Sequence, residues 1–281
     1  MPEGPECHAA AAFLRRHSVG RRIQALIIVH GRYAKKDPKG WDLLGDSLSA
    51  TGALTVEAVC VHGKMIYLVL SGGLRIVTTL GLTGKWQTRC AKHTGICIVM
   101  DRGRLWFKDQ LHYGTMSIAT DAECEKRVAR LGPDCTLGTE SVDVGYWLAA
   151  CEKHQEKQVS VLLMNQNVIA GIGNYLKNEV LHAAGVHPCT VVGTLSPEQQ
   201  TMLLHHALAV THLWWRYKMR LTSKRPRMHV YRRKKAPNGE SVHKVKASDG
   251  RTSHTVLPSP RSPLQASNAN AFLSCQQECT E

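Results

Sequence analysis

The chain begins MPEGPE (residues 1–6), which places a proline and two glutamates at its start. Most domains leave their first residues loose and without a chemical role. If Met1 is removed, Pro2 presents a free secondary amine beside Glu3 and Glu6. An α-amino group has a reference pKa of about 8, so an appreciable fraction is neutral and nucleophilic at pH 7. This stretch therefore suggests that the N-terminus itself is a reagent.

The residues after this start predict one helix followed by strands. Residues 5–17 have Pro5 near their beginning and basic residues at their end, which is typical of a helix. Short, β-branched apolar runs bounded by glycine follow as far as residue 109. Such runs favour the strands of a sandwich or barrel, so the first half of the chain is predicted to be β-rich.

The pattern changes from about Glu123, where apolar residues recur at helical spacing as far as Lys218. Ser196 is expected to cap the last of these helices, with Pro197 at its first position. Two domains are therefore predicted, joined between residues 120 and 150.

The C-terminal part differs again. Residues 226–257 alternate polar and β-branched residues around two turn signals, Pro-Asn-Gly at 237–239 and Asp-Gly at 249–250. This pattern predicts a β-hairpin. The Ser, Pro, Asn and Gln content of residues 258–281 predicts a disordered tail.

The charge balance favours a polyanionic partner. The 281 residues include 36 lysines and arginines against 22 acids, for a net charge of +14. Nucleic acid is the usual partner of such a surplus, although a soluble protein can also be basic without one. No apolar run approaches the roughly 18–20 residues of a membrane span, and the N-terminal composition does not predict a signal peptide.

The basic residues are concentrated between Trp214 and Lys235, where ten lysines and arginines occur without an acid. Trp215, Tyr217 and Tyr231 lie among them and could stack on or flank a nucleic-acid backbone. A solvated basic face or a localisation signal would have the same composition. The neighbouring hairpin favours phosphate contact.

The ten cysteines form no Cys-x-x-Cys pair, so a zinc ribbon or finger is not supported. Because no secretory signal is predicted, a disulfide framework is not expected either. We interpret the cysteines as reduced, mostly buried small hydrophobic residues.

Three motifs together resemble the formamidopyrimidine-DNA glycosylase/endonuclease VIII family. They are MPEGPE at the N-terminus, GIGNYLxxEVL from residue 171, and GRT in the terminal hairpin. The resemblance spans roughly residues 2–257. It implies an α+β fold with a β-sandwich domain (2–120), a helix–two-turn–helix domain (121–225) and a β-hairpin finger (226–257), with DNA between the two domains.

The resemblance also implies catalytic roles. Pro2 matches the nucleophile that attacks the sugar C1′ and forms a Schiff base. Glu3 matches the acid/base partner and Glu6 its supporting carboxylate. Lys64 matches a lysine on a strand turn that contacts a phosphate beside the lesion and can donate a proton.

Further positions match the family's DNA contacts. Asn174 corresponds to a phosphate-binding asparagine at a helix start, where helix N-terminal amides can also meet phosphate, so Gly173 and Tyr175 are included with it. Gly171 and Gly173 allow close approach of a backbone to a partner. Arg251 matches the finger arginine that reaches toward the flipped nucleotide.

Two departures from the family pattern affect the expected cofactor and substrate. Most members close the hairpin with four cysteines around zinc, but this hairpin has none. It resembles the zincless finger of the endonuclease VIII-like branch, so no metal or other cofactor is expected, and His229, His243 and His254 are interpreted as polar groups.

The second departure concerns the side chains that fill the gap left by a flipped base. Here they are Leu82, Leu111 and Tyr113, and Leu111 replaces an arginine of the family loop. Leucine and tyrosine can still wedge and stack, but leucine cannot donate a hydrogen bond to the opposite base. This substitution favours oxidised pyrimidines and ring-opened or hydantoin purines over 8-oxoguanine. A purely structural role for the loop is the alternative.

The leading hypothesis is a bifunctional DNA glycosylase/AP lyase of base excision repair that cleaves the strand by β,δ-elimination. We expect a monomer that acts on damaged duplexes, with single strands left open as a further substrate, and that has no membrane partner. The expected compartment is the nucleus, with the mitochondrion as the alternative. The alternatives are a non-catalytic damage-binding protein on the same scaffold, an 8-oxoguanine-preferring glycosylase, and a basic RNA-binding protein.

Overall fold

The computed structural model describes residues 2–138 and 140–257, and it divides into two compact units that meet between Leu131 and Gly132. The N-terminal unit is a sheet structure with helices, and the second unit is mainly helical. The α+β prediction is confirmed. The predicted tail, residues 258–281, lies outside the described residues.

Helix α1 (Gly4–Ser18) opens the N-terminal unit and confirms the helix expected after MPEGPE. Pro5 lies in its first turn, where the missing amide hydrogen costs nothing, and basic residues occupy its last turn. Cys7, Ala11 and Leu14 recur at helical spacing and are buried in the core of this unit.

Eight antiparallel strands form the sheet structure of this unit, in the order β5-β7-β6-β1-β2-β3-β4-β8. The strands are β1 (Arg22–Ile28), β2 (Leu54–His62), β3 (Met65–Leu70), β4 (Leu74–Thr79), β5 (Lys85–Gln87), β6 (Thr94–Met100), β7 (Arg104–Lys108) and β8 (Thr115–Thr120). Strands β1 and β2 share a short pairing, at Arg22–Thr55 and Ile23–Leu54. This short pairing separates the eight strands into two groups of four. Buried residues from both halves belong to one core, as expected of a sandwich.

A 3₁₀ turn and a helix lie in the first half of the chain, which was predicted to be mainly β. Helix α2 (Trp41–Thr51) follows a 3₁₀ turn at Arg32–Ala34 and is bounded by glycines at 40 and 52 with positive φ. Leu44 is buried and Leu48, four residues later, packs partly buried against the same core. Helix α3 (Asp121–Val128) ends the unit and is one of the predicted helices.

The second unit contains α4 (Val144–Lys153), α5 (Val159–Met164), α6 (Asn174–Ala183) and α7 (Pro197–Lys218). The predicted cap of α7 is confirmed, because the Ser196 hydroxyl accepts a hydrogen bond from the Gln199 N–H at 3.3 Å. Trp147, Tyr175 and Trp214 are the bulky aromatic members of its core.

The hairpin consists of β9 (His243–Lys246) and β10 (Thr252–Thr255), paired from Lys246–Thr252 to His243–Thr255. Its turn uses the Asp249-Gly250 signal. The other signal, at 237–239, lies in a separate turn closed by a single bridge between Lys235 and Ser241.

The prediction that most cysteines are buried is confirmed for the part of the chain that the structure describes. Cys7, Cys97, Cys124, Cys135 and Cys151 are buried, and no described cysteine is in a disulfide. Burial raises the pKa of the Cys151 thiol to about 12, which keeps it protonated and inert. No helix among the described residues combines the length and apolarity that crossing a membrane requires.

Burial of histidines makes the helical unit sensitive to acid. Burial, with a smaller contribution from nearby His229, lowers the pKa of His182 from 6.5 to about 4. Between these values the unfolded chain binds a proton that the folded chain resists, so the free energy of unfolding falls as the pH drops from about 6.5 to about 4. Burial also lowers the pKa of His187, His206, His229 and His254, so these residues contribute to stability with the same sign.

We therefore expect urea unfolding of the helical unit to weaken on acidification, by on the order of 2 kcal/mol from His182 alone. The variant His182→Phe keeps a ring but removes the titrating group, and should show a shallower pH dependence. His205→Gln, at an exposed position of α7, is the matched control. An unchanged pH profile for His182→Phe would contradict this account.

Candidate active site and nucleic-acid interface

The N-terminus of the chain is held by the start of α1. Glu3 is the N-cap residue of this helix and is 1% exposed, while Pro2 directly before it is half-buried. The Glu3 N–H donates to Glu6 Oε2 at 3.0 Å, which ties the cap to the first helical turn. Carboxylates in this position are also favoured by the positive end of the helix dipole. The three predicted residues therefore lie together, and Glu6 contacts the Glu3 backbone.

Lys64 lies in the tight turn between β2 and β3, beside Gly63, which has a φ of 54°. Its carbonyl oxygen accepts from the Cys7 thiol at 3.8 Å, and the Cys7 N–H donates to the Glu3 carbonyl at 3.0 Å. The structure thus brings the Lys64 turn next to the first turn of α1. This Cys7 contact was not predicted, because the two partners are 57 residues apart in the sequence.

The three predicted gap-filling side chains lie on two loops of the N-terminal unit. Leu82, Leu111 and Tyr113 are 39%, 48% and 61% exposed, which is unusual for large apolar side chains in a folded domain. A Cβ at Gly81 would lie 2.5 Å from the Tyr113 backbone, so the two loops are in direct contact.

Asp109 joins these loops and was not predicted as a site residue. Its buried carboxylate accepts from Thr83 Oγ1 at 2.5 Å and from the Gly114 N–H at 2.6 Å. The Leu111 N–H donates in turn to Thr83 Oγ1 at 3.0 Å. Charge-assisted hydrogen bonds of this kind are stronger than neutral ones, so they restrain the segments that carry the exposed apolar groups.

In the helical unit, the structure brings two of the predicted DNA contacts together. Asn174 is the first residue of α6, and its Nδ2 donates to the Thr252 carbonyl at 3.3 Å. Arg251 precedes Thr252 and has a side chain that is 55% exposed, 3.7 Å from Asp249. Gly173, the N-cap residue of α6, is buried.

Tyr175 is a correction to the predicted DNA contacts. Its side chain is 4% exposed and packs edge-on against Trp214, with ring centroids 5.3 Å apart. This side chain belongs to the core of the helical unit, so only the backbone of Tyr175 remains a candidate for contact with phosphate.

The close approach at Gly171 is also internal. Gly171 has a φ of 107°, and a Cβ there would lie 2.9 Å from Thr136 Oγ1. The glycine is therefore required by packing within the unit, and it does not indicate an external partner.

The basic segment divides into exposed cations and packed aromatics. Its exposed cations are Arg220, Lys224, Arg225, Arg227, Arg232, Arg233, Lys234 and Lys235. Tyr217 and Tyr231 pack against the core of the helical unit, and Trp215 is stacked on His212 with centroids 5.0 Å apart. Stacking of these aromatics on nucleic acid is therefore not favoured, whereas the cations are accessible to phosphate.

The potential metal-ligating side chains of the hairpin segment include His229, His243 and His254. Within residues 2–138 and 140–257, no group of three or more His, Cys, Asp or Glu side chains is arranged to hold a metal ion. The His254 ring lies edge-on to Tyr231, with centroids 5.4 Å apart, and its backbone N–H donates to Asn178.

Comparison with known proteins gives the same family for both units. The formamidopyrimidine-DNA glycosylase N-terminal domain matches residues 1–116, and the formamidopyrimidine-DNA glycosylase H2TH domain matches residues 131–213. A formamidopyrimidine-DNA glycosylase from Solibacter usitatus is 33% identical over 72% of this chain and 73% of its own length. One from Nitrosococcus oceani is 32% identical over 67% and 68%, respectively.

Solved structures show the same fold. The Lactococcus lactis enzyme, bound non-covalently to DNA containing an AP site, has a TM-score of 0.77 at 21% identity and covers 90% of this chain and 97% of its own. The same enzyme with DNA containing an oxidised pyrimidine has a TM-score of 0.74 at 22% identity, with the same coverage.

Proposed function

The chain belongs to the formamidopyrimidine-DNA glycosylase family, and from that premise we propose that it is a bifunctional DNA glycosylase and AP lyase. The observation that carries the proposal is the arrangement of Pro2, Glu3 and Glu6 at the start of α1. A basic chain with an exposed cationic segment suits damaged DNA as the substrate.

The chemistry begins at the nitrogen of Pro2 once Met1 is removed. The neutral amine attacks C1′ as the bond from C1′ to the base breaks, and opening of the sugar ring leaves an iminium between Pro2 and C1′. The iminium is an electron sink, so a proton can leave C2′ and the 3′-phosphate is expelled. Loss of a second proton, from C4′, then expels the 5′-phosphate. Hydrolysis of the iminium then returns the free amine.

Glu3 supplies the proton that opens the sugar ring and later moves protons in the elimination. Its backbone N–H is held by Glu6, which makes Glu6 a positioning residue. Lys64, on the turn beside α1, is the proposed contact for a phosphate next to the lesion.

We further propose oxidised pyrimidines and ring-opened or hydantoin purines as the preferred lesions. Leu111 has no hydrogen-bond donor on its side chain, so the enzyme has less means of reading the base opposite the lesion than a loop with arginine. The relative from Lactococcus lactis has been solved with DNA containing an oxidised pyrimidine. An 8-oxoguanine-preferring enzyme is the competing specificity.

A lesion panel with and without borohydride tests the proposal. Four duplexes are compared, which contain an oxidised pyrimidine, a ring-opened purine, 8-oxoguanine and an abasic site, respectively. Borohydride reduces the iminium and leaves a stable protein–DNA bond. We expect trapping and strand cleavage on the first two and on the abasic site, with products of both β- and δ-elimination. Binding to abasic DNA without trapping or cleavage would instead support a non-catalytic binder.

The exposed apolar loops predict a difference between duplex and single-stranded substrates. Leu111→Ala should reduce base excision from duplexes by roughly tenfold, because less apolar surface fills the gap that the flipped base leaves. Excision from a single strand should change little, because no opposite base has to be supported. Single-turnover rates on both substrates measure the effect. Leu43→Ala, at another exposed leucine of this unit, is the control, and equal losses on both substrates would contradict the wedge role.

A further inference from the structure

The finger hairpin needs some restraint other than a metal. Arg251 lies in its turn, and the predicted role of this arginine requires the hairpin to hold one position. Within the described residues the chain offers no set of metal ligands there. Two short strands alone are marginally stable in water, so other contacts must hold them.

Asn178 is one such contact. It is fully buried on α6, and its Oδ1 accepts a hydrogen bond from the His254 N–H in β10 at 2.5 Å. Its Nδ2 donates to the Asn174 carbonyl at 2.5 Å, so the amide is oriented by its own helix. Asn178 occupies one of the two unspecified positions of GIGNYLxxEVL, which is why the family motif did not single it out.

Asn174 holds the same strand two residues earlier. Its Nδ2 donates to the Thr252 carbonyl at 3.3 Å. In a β-strand, the backbone groups of residues i and i+2 face the same edge, about 6.7 Å apart. Positions i and i+4 of an α-helix are separated by about 6 Å of rise. The two asparagines therefore match the spacing of Thr252 and His254, and they serve as a partner for that edge of β10.

The adjacent residue of α6 fixes the chain that enters the hairpin segment. The buried Glu179 carboxylate accepts from the backbone N–H groups of His229, Val230 and Tyr231 at 2.7, 3.1 and 2.8 Å. One turn of α6 thus holds both the incoming segment and the outgoing strand.

We propose that the side-chain amides of Asn174 and Asn178, the α6 amide clamp, take the place of a metal site in positioning Arg251. This inference rests on the proposed function, because it assigns Asn178 the role of a positioning residue for an arginine that contacts DNA. Asn178 acts only through the hairpin.

A double-mutant cycle on the full chain tests this role. Asn178→Ala should reduce the single-turnover excision rate on lesion duplex by roughly tenfold, since a buried hydrogen-bonding group loses its partner. In an Arg251→Ala background the same change should reduce the rate by less than about twofold, because the residue that it positions is gone. Equal reductions in the two backgrounds would overturn the proposal.

Gln200→Ala is the matched control. Gln200 also presents a side-chain amide in this unit and donates to the carbonyls of Val192 and Leu195 at 3.3 and 3.2 Å, neither of which belongs to the hairpin. Gln200→Ala should change the single-turnover excision rate by the same factor with and without Arg251. Coupling of Gln200 to Arg251 as strong as that of Asn178 would mean that loss of stability alone explains the cycle, and would overturn the proposal.

Hydrogen exchange provides a measurement that does not require activity. The His254 amide should be protected in the unmodified protein, remain protected in the presence of a metal chelator, and exchange much faster in Asn178→Ala. Chelation of the unmodified protein requires no variant, so this measurement tests the clamp even if the alanine variant does not fold. Loss of protection on chelation, or retained protection of the His254 amide in folded Asn178→Ala, would refute the clamp. A protein without glycosylase activity but with this exchange pattern would refute only the proposed function.

Discussion

Protein that retains Met1, or that carries any N-terminal extension, is expected to form no adduct with abasic DNA under borohydride and to cleave no strand. An added residue converts the Pro2 amine into a tertiary amide, which is not nucleophilic. Removal of an enzyme's nucleophile commonly costs several orders of magnitude in rate. Gel separation of the trapped adduct and of the cleaved strand measures both losses.

The matched control carries the same extension after residue 281. It should trap and cleave at the unmodified rate, and both proteins should bind lesion duplex with similar affinity, because the exposed cations are unchanged. Pro2→Gly separates the nucleophile from its surroundings. An adduct that survives in Pro2→Gly together with full lyase activity would contradict the assignment of Pro2, as would normal cleavage by the extended protein.

Replacement of Glu179 by alanine is expected to lower the free energy of unfolding of the helical unit by about 3–5 kcal/mol. The carboxylate is buried and accepts three backbone hydrogen bonds from the segment 229–231. In the alanine variant these three N–H groups would lose their common acceptor, because the alanine side chain cannot accept a hydrogen bond. Urea unfolding followed by the fluorescence of Trp147 and Trp214, both in the core of this unit, measures the change.

Two comparisons make the Glu179 prediction specific. Glu179→Gln keeps one carbonyl oxygen as an acceptor and should be destabilised less than Glu179→Ala. Glu152→Ala removes a glutamate from an exposed position of α4 and should leave the unfolding midpoint almost unchanged. Similar midpoints for Glu179→Ala and Glu152→Ala would show that the buried carboxylate does not support the fold.

Local sequence patterns predicted much of the fold because they reflect local physics. The β-branched runs became strands, and the helical periodicity after Glu123 became helices, with Ser196 as a cap. Helix α2 was missed although Leu44 and Leu48 have helical spacing, because Gly45 within it and the glycines at 40 and 52 are more typical of turns. Tyr175 was misassigned because a motif identifies a helix start but does not show which way each side chain faces.

The missed site residues depend on contacts between distant parts of the chain. Asn178 meets His254 across 76 positions, and Glu179 meets His229 across 50. Asp109 is closer to its partners, but its importance depends on burial, which the sequence of one loop does not display. Composition and spacing cannot encode which distant backbone groups a buried side chain will satisfy.

The position of Pro2 at the start of α1 affects the effective concentration of the proposed nucleophile. A chain end is ordinarily the most mobile part of a protein, so an amine placed there would sample many directions and meet its target rarely. Here the amine lies one residue before the cap of a 15-residue helix whose buried face is packed into the core. Folding has therefore already removed most of the orientational freedom that the reaction would otherwise have to remove. Well-oriented groups of this kind can reach effective molarities of about 10⁵ M or more, so in the proposed reaction the helix would raise the effective concentration of the Pro2 amine.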